Sequence, residues 1–275
     1  MKKTVKRWGS VLMIALVSVG LMTLSSCTKE DDPSTPGGGG GGTTTQDSWA
    51  YLVNETPHDV QVNDNTLTYG DHVYTVNGEI DLNGTVFNSP TAYVTFTNVP
   101  SGYTEFEAVY NNLLGKSMQG TAAMIPMAME IYARNAATGE KCLNLLCNSS
   151  VTVTNIVREL KQKLVPSQYA PQNDQYIQRY LPAATLKGAS NTNGYKPDEP
   201  YTIEMCASVN GIVDAPLNGG TDYYIYVLAP GGWDTFQRGV EVFQPYGETE
   251  YYKLINCPET YSQCKVFSGT WQGLK

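Results

Sequence analysis

The chain has two histidines, and each stands beside an aspartate: His58 next to Asp59, and His72 next to Asp71. A carboxylate can orient an imidazole for base catalysis. Neighbours along a strand point to opposite faces, however, and neither a G-x-S-x-G elbow nor an H-E-x-x-H helix accompanies them, so both pairs read as surface turn residues. Ser262-Gln263-Cys264-Lys265 has the bare S-x-x-K spacing of acyl-serine enzymes, which needs a helix to hold lysine over serine and partner motifs that this sequence lacks. Asp59, Asn63, Asp64, Asn65 and Asp71 offer oxygens that a calcium ion uses, but their spacing is no EF-hand and polar turn chemistry accounts for the same letters. No catalytic residue, metal ligand or cofactor is therefore expected.

Binding residues are the better expectation. In Asp222-Tyr-Tyr-Ile-Tyr-Val-Leu228, strand alternation places Tyr224, Tyr226 and Leu228 on one face and Tyr223, Ile225 and Val227 on the other. One face is core, and the other is a candidate aromatic platform. Trp233 follows Gly231-Gly232 on what reads as an exposed loop, with Tyr251 and Tyr252 on a neighbouring strand. Arg238 lies a few residues on, where its planar fork suits Asp234, another carboxylate or an incoming anion. The long segment "KGASNTNGYKPDEPY" leaves room for a binding loop carrying Lys187, Asn193 and Tyr195.

These residues are carried by a chain whose first stretch reads as an export signal. Lys2, Lys3, Lys6 and Arg7 precede the apolar run Val11 to Leu24, which suits a signal-peptide core and is short for a membrane span. Leu24-Ser25-Ser26-Cys27 has the shape of a bacterial lipobox, with Cys27 as the acylated residue. Thr28-Lys29-Glu30-Asp31-Asp32 resembles the address that sends lipoproteins of Bacteroidetes to the outer face of the outer membrane. Pro33 to Thr45, with six consecutive glycines, holds no apolar residue to nucleate a core and reads as a flexible tether. The expected organisation is a signal peptide over 1–26, a lipidated acidic and glycine-rich tether over 27–46, and an α+β domain over 47–275. Within that domain, 47–98 forms a β-meander subregion and 99–275 the remainder.

Loss of the leader takes the net charge from −8 to −12, since residues 1–26 hold four basic and no acidic side chains. So negative a chain disfavours nucleic acid and anionic lipid as partners. Beyond Cys27 lie Cys142, Cys147, Cys206, Cys257 and Cys264. An odd number leaves at least one free thiol. Cys142 and Cys147 are five apart on an expected helix, too far for a disulfide, while Cys257 and Cys264 are spaced either to bridge across a loop or to stay reduced.

The order of elements predicts the fold class. Asn77-Gly78 and Asn83-Gly84 separate the short runs His72–Val76, Glu79–Leu82 and Thr85–Phe87, a pattern of tight hairpins, and Thr91–Val99 alternates as a half-buried strand. Helices follow. Thr104 and Glu107 have capping-box spacing ahead of Phe106, Val109, Tyr110, Leu113 and Leu114, and Gly120–Asn135 is apolar nearly all round, with Pro126 expected near its first turns. Asn155–Leu164 and Asp174–Leu181 read as shorter amphipathic helices halted by Pro166 and Pro182. Strands return at Tyr201–Val209, Asp222–Ala229, Gly239–Gln244 and Thr249–Asn256. Strands, helices, then strands predict α+β: an early β-meander, a central helical segment and a C-terminal antiparallel sheet.

At "YNNLLGKSMQGTAAMIPMAMEIYARN", "YLPAATLKGASNTNGYKPDEPYTIEM" and "GGWDTFQRGVEV" the chain resembles an uncharacterised domain family found in Bacteroidetes surface lipoproteins and in other gut bacteria. The resemblance runs from about Val99 to the C-terminus. It covers Gly115, Lys116 and Gly120, then Leu186, Lys187, Gly188, Asn193, Gly194, Tyr195, Pro197, Pro200 and Tyr201, and finally Arg238. The family pattern has a proline where this chain has Gly239 and an arginine where it has Lys265. It implies a surface lipoprotein and no particular activity. The residues point to a non-catalytic binding or interaction module on the cell surface, anchored to the outer membrane, whose partner is a neutral glycan or a surface protein. A polysaccharide or envelope hydrolase and a structural envelope component are the alternatives.

Overall fold

A computed structural model describes residues 53–163, 181–215, 219–248, 250–267 and 274–275. Eight strands make one antiparallel sheet in which each strand pairs with its neighbour in sequence. The strands are β1 (Val60–Asn63), β2 (Thr66–Tyr69), β3 (His72–Gly78), β4 (Ala92–Phe96), β5 (Tyr201–Ala215), β6 (Gly220–Leu228), β7 (Gln237–Pro245) and β8 (Lys253–Asn256). The helices α1 (Tyr103–Asn112), α2 (Met118–Arg134), α3 (Ala136–Leu146) and α4 (Ser150–Lys163) fall between β4 and β5. These two strands pair in register from Ala92↔Met205 to Phe96↔Tyr201. The early meander is thus continuous with the later sheet.

Alternation along the strands separates two faces. Leu67, Tyr74, Val94, Phe96, Ile203, Met205, Ile225, Val227, Val240, Val242 and Leu254 are aligned by the pairing and buried on the face that carries the helices. Against them lies α2, buried along nearly its whole length. Ser117 starts this helix, its hydroxyl accepting from the Gly120 N–H at 3.1 Å. Helix α2 opens at Met118, so Pro126 sits mid-helix and removes an interior hydrogen bond, not one near the first turns.

Two local expectations are corrected. Asn77-Gly78 is no hairpin turn: both residues belong to β3, paired with Tyr93 and Ala92. Gly78 has φ +67°, and a Cβ there would meet the Thr91 carbonyl at 2.1 Å, so glycine permits a close approach of two backbones. Glu79–Leu82 and Thr85–Phe87 are accordingly not strands but part of the β3–β4 connection, which reaches β7 through a hydrogen bond from Gln237 to the Phe87 carbonyl. The tight turns are Asp64-Asn65, with Asp64 at φ 51°, and Gly70-Asp71.

Thr104 likewise does not cap α1, because Gly102 holds the cap position and Thr104 is already inside the helix. The free N–H groups of Tyr103 and Thr104 donate instead to the Glu55 carboxylate, at 3.1 and 2.8 Å. Helix α4 starts earlier than its apolar spacing suggests. The Asp174–Leu181 helix lies outside the described residues except for Leu181, which is extended and leads into a 3-10 turn at Pro182–Thr185. All five described cysteines are buried and none of them is in a disulfide, Cys257 and Cys264 included.

Candidate functional site

The face of the sheet away from the helices carries Tyr224 and Tyr226 on β6, Gly239 and Glu241 on β7, and Asn256 on β8, brought side by side by the pairings Tyr224↔Glu241, Tyr226↔Gly239 and Glu241↔Asn256. A bulge between Ala207 and Ile212 lifts β5 out of register with β6 and brings Ser208 and Asn210 to the same place. Pro258 and Glu259, just past β8, form the opposite wall. The result is a cleft of about 240 Å³. Among the described residues lining it are two carboxylates, two tyrosines and two carboxamides, and none is basic.

Tyr224 Oη donates to Glu241 Oε1 at 3.0 Å. Glu259 reaches back to accept from the Gly239 N–H at 2.6 Å, covering the stretch of β7 that β8 does not pair. Asp222 sits on this same face beneath Glu241 and is 4% exposed. Its Oδ1 finds no hydrogen-bond partner among the described residues. Burial raises the Glu241 carboxyl above the ordinary carboxylate range, opposed by the hydrogen bond from Tyr224 and reinforced by the charge of Asp222. Tyr224 is pushed up to about 12 by burial and by Glu241.

Of the residues singled out from sequence, only Tyr224 and Tyr226 line this cleft. Trp233 is not an exposed loop ring. It is 4% exposed, because Gly231 and Gly232 bring the loop down onto Ala184, Ala189 and Ser190 so tightly that a Cβ at Gly231 would meet the Ala189 carbonyl at 2.1 Å. Arg238 stands over the Trp233 ring at 4.3 Å and points a guanidinium nitrogen at Ser262 Oγ, 3.5 Å away. Asp234 does not pair with Arg238; its carboxylate lies 3.6 Å from Lys265.

Tyr195 is fully buried. Its hydroxyl donates to the Lys265 carbonyl at 2.7 Å and its ring meets Phe267 edge-on at 5.2 Å, which holds its backbone at φ 57°, a conformation seldom adopted by a bulky residue. Asn193 staples its own loop. Its amide donates to the Gly188 and Lys196 carbonyls and its oxygen accepts from the Ser190 and Lys196 N–H groups. Lys187 pairs with Glu204 at 2.7 Å on the outer face. Tyr195, Trp233 and Arg238 are thus locked against the 262–267 segment, away from the cleft.

Sequence reasoning missed a second polar cluster. His72 is no bare turn residue: its Nδ1 lies 2.6 Å from Glu105 Oε1 on α1, while the Asp71 carboxylate is 3.8 Å from Nε2. Glu105 is 1% exposed and also accepts from Tyr74 Oη and from Ser101 N and Oγ, each at 2.7 Å. No sequence signal joins residues 72 and 105, which only the register of β3 against α1 brings together. The S-x-x-K serine is also committed, since Ser262 Oγ donates to the Glu259 carbonyl at 2.8 Å. Among the described residues no group of three or more His, Cys, Asp or Glu side chains is placed to hold a metal.

A sequential antiparallel meander with all described helices on one face, and a polar cleft on the other, defines an α+β domain that presents one sheet face outward. Residues 98–268 match the family described as Domain of unknown function (DUF6935), and the chain belongs to that family. No curated protein and no solved structure matches the chain. No described helix is long and apolar enough to cross a membrane.

Proposed function

We propose that this DUF6935 protein is a non-catalytic binding module held at the outer face of the outer membrane by lipid on Cys27, and that its outer-sheet cleft takes a neutral or cationic glycan. The observation that carries the reading is the cleft itself: half-buried tyrosine rings beside carboxylate and carboxamide groups, on the sheet face that no described helix covers. Pyranose rings present flat apolar faces that stack on aromatics, and their hydroxyls pair with amide and carboxylate oxygens. The other candidate reactive groups are engaged in internal bonds, Ser262 to Glu259 and His72 to Glu105. Screening the full chain against a glycan array tests this, with Tyr226→Ala as the control: retained binding in that variant, or binding confined to acidic polysaccharides, overturns it.

Glycoside hydrolysis is the second reading, favoured by one observation. Glu241 and Glu259 line the same cleft, and glycosidases flank the scissile bond with two carboxyl groups, one of them kept protonated. Release of new reducing ends from any glycan bound by the wild type, abolished in Glu241→Gln, would establish it over simple binding.

A further inference from the structure

We propose that the cleft is selective for a sugar bearing a free amine, its ammonium group seated between Glu241 and Glu259 while Tyr224 or Tyr226 receives the ring; this rests on the glycan-binding reading above. Three observations carry it. The described lining of the cleft contains two acids and no base. A third acid, Asp222, lies buried under Glu241 and adds its charge from below. Asp222 Oδ1 is buried and finds no hydrogen-bond partner among the described residues, so a carboxyl oxygen next to the cleft is left for a donor to satisfy. The site is therefore a pair of acids, Glu241 above a buried and unpartnered Asp222, with Glu259 opposite and no base in the described lining to balance them.

The groups facing this pair come from every strand around it. They are Tyr224 and Tyr226 of β6, Asn256 of β8, Ser208 and Asn210 of the β5 bulge, and Glu259 beyond β8. Arg238, stacked on Trp233, partly offsets the charge of Glu259. An ammonium group entering the cleft meets this negative charge directly, and binding weakens once pH rises far enough to deprotonate the amine. At about 240 Å³ the cleft is smaller than pockets for drug-sized ligands, about 300–1,000 Å³, and suits one sugar ring with its amine. A bare metal ion is a poorer fit, because no three described carboxylates converge on a point.

Isothermal titration of the full chain in detergent tests the inference, with a glucosamine tetramer, its N-acetylated counterpart and tetralysine as probes. The titrations are run at about pH 6, where the amine carries its charge. The glucosamine tetramer should bind at least about tenfold more tightly than the acetylated one. Glu241→Gln should abolish the preference. If that variant fails to fold, Glu259→Gln, on an exposed side chain, should still lower the preference. Equal affinity for the two tetramers overturns the amine and leaves glycan binding standing. Tetralysine binding as tightly as the glucosamine tetramer overturns the sugar. Binding of none of the three overturns this inference, while the glycan-array screen decides the broader glycan-binding reading by itself.

Discussion

The Arg238 guanidinium lies 4.3 Å from the centroid of the Trp233 ring, and both side chains are nine-tenths or more buried. Trp233 also donates its indole N–H to the Ser262 carbonyl, so one stacked pair joins the end of β7 to the loop before it and the segment after β8. A desolvated cation–aromatic contact contributes about 2 kcal/mol or more, and a buried tryptophan about 3–5 kcal/mol on truncation. Arg238→Ala should destabilise by about 1–3 kcal/mol and Trp233→Ala by more. The double variant should cost less than the sum, since each partner loses the same contact. Chemical denaturation of the four proteins measures this; simple additivity would show that the stacking contributes nothing.

The His72–Glu105 pair should make stability depend on pH. The hydrogen bond to Glu105 raises His72 above its ordinary 6.5 against the opposing effect of burial. Burial alone would raise Glu105, but its bonds from His72, Ser101 and Tyr74 outweigh it and bring it below its ordinary 4.5. A raised imidazole contributes fully below 6.5 and loses its contribution as pH climbs through the folded value. A lowered carboxyl contributes fully above 4.5 and loses it as pH falls through the folded value. The pair should therefore stabilise most between 4.5 and 6.5. His72→Gln should cost about 2–3 kcal/mol at about pH 5.5 and clearly less at about pH 9. A cost that does not vary with pH would remove the ion pair from the account.

Cys27 should carry the membrane anchor. Each buried methylene of an acyl chain contributes about 0.8 kcal/mol, and more than one chain makes attachment stable. Cys27→Ala should move the protein from the membrane fraction to the soluble fraction. Protease added to intact cells should degrade the wild type. Protection until the outer membrane is broken would place it on the inner side of that membrane.

Much of this molecule is local, and local physics can be read along the chain. Phe106, Val109 and Tyr110 recur at helical spacing and all three are buried on α1, with Leu114 buried in the 3-10 turn just beyond it. Tyr93 and Thr95 alternate with Val94 and Phe96, and β4 buries the second pair. The α+β class follows from the order of such segments alone. Glycines misled where they served packing: Gly78 and the Gly231-Gly232 pair have turn letters, but their missing side chains admit a neighbouring backbone. That neighbour is distant in sequence, so composition does not reveal it.

What the sequence by itself determined, then, were features held by near neighbours: the amphipathic faces, the acidic charge, and the alternation that sends Tyr224 and Tyr226 to one side of β6. What only the tertiary structure decided was which distant groups meet. It seats Trp233 beneath Arg238, carries His72 to Glu105 across 33 residues, and sets Asp222 under Glu241 with Glu259 opposite. The reason is physical: a side chain's charge state and exposure follow from the atoms within a few ångströms of it. In an antiparallel sheet those atoms are chosen by register between strands, a relationship written nowhere in any one strand.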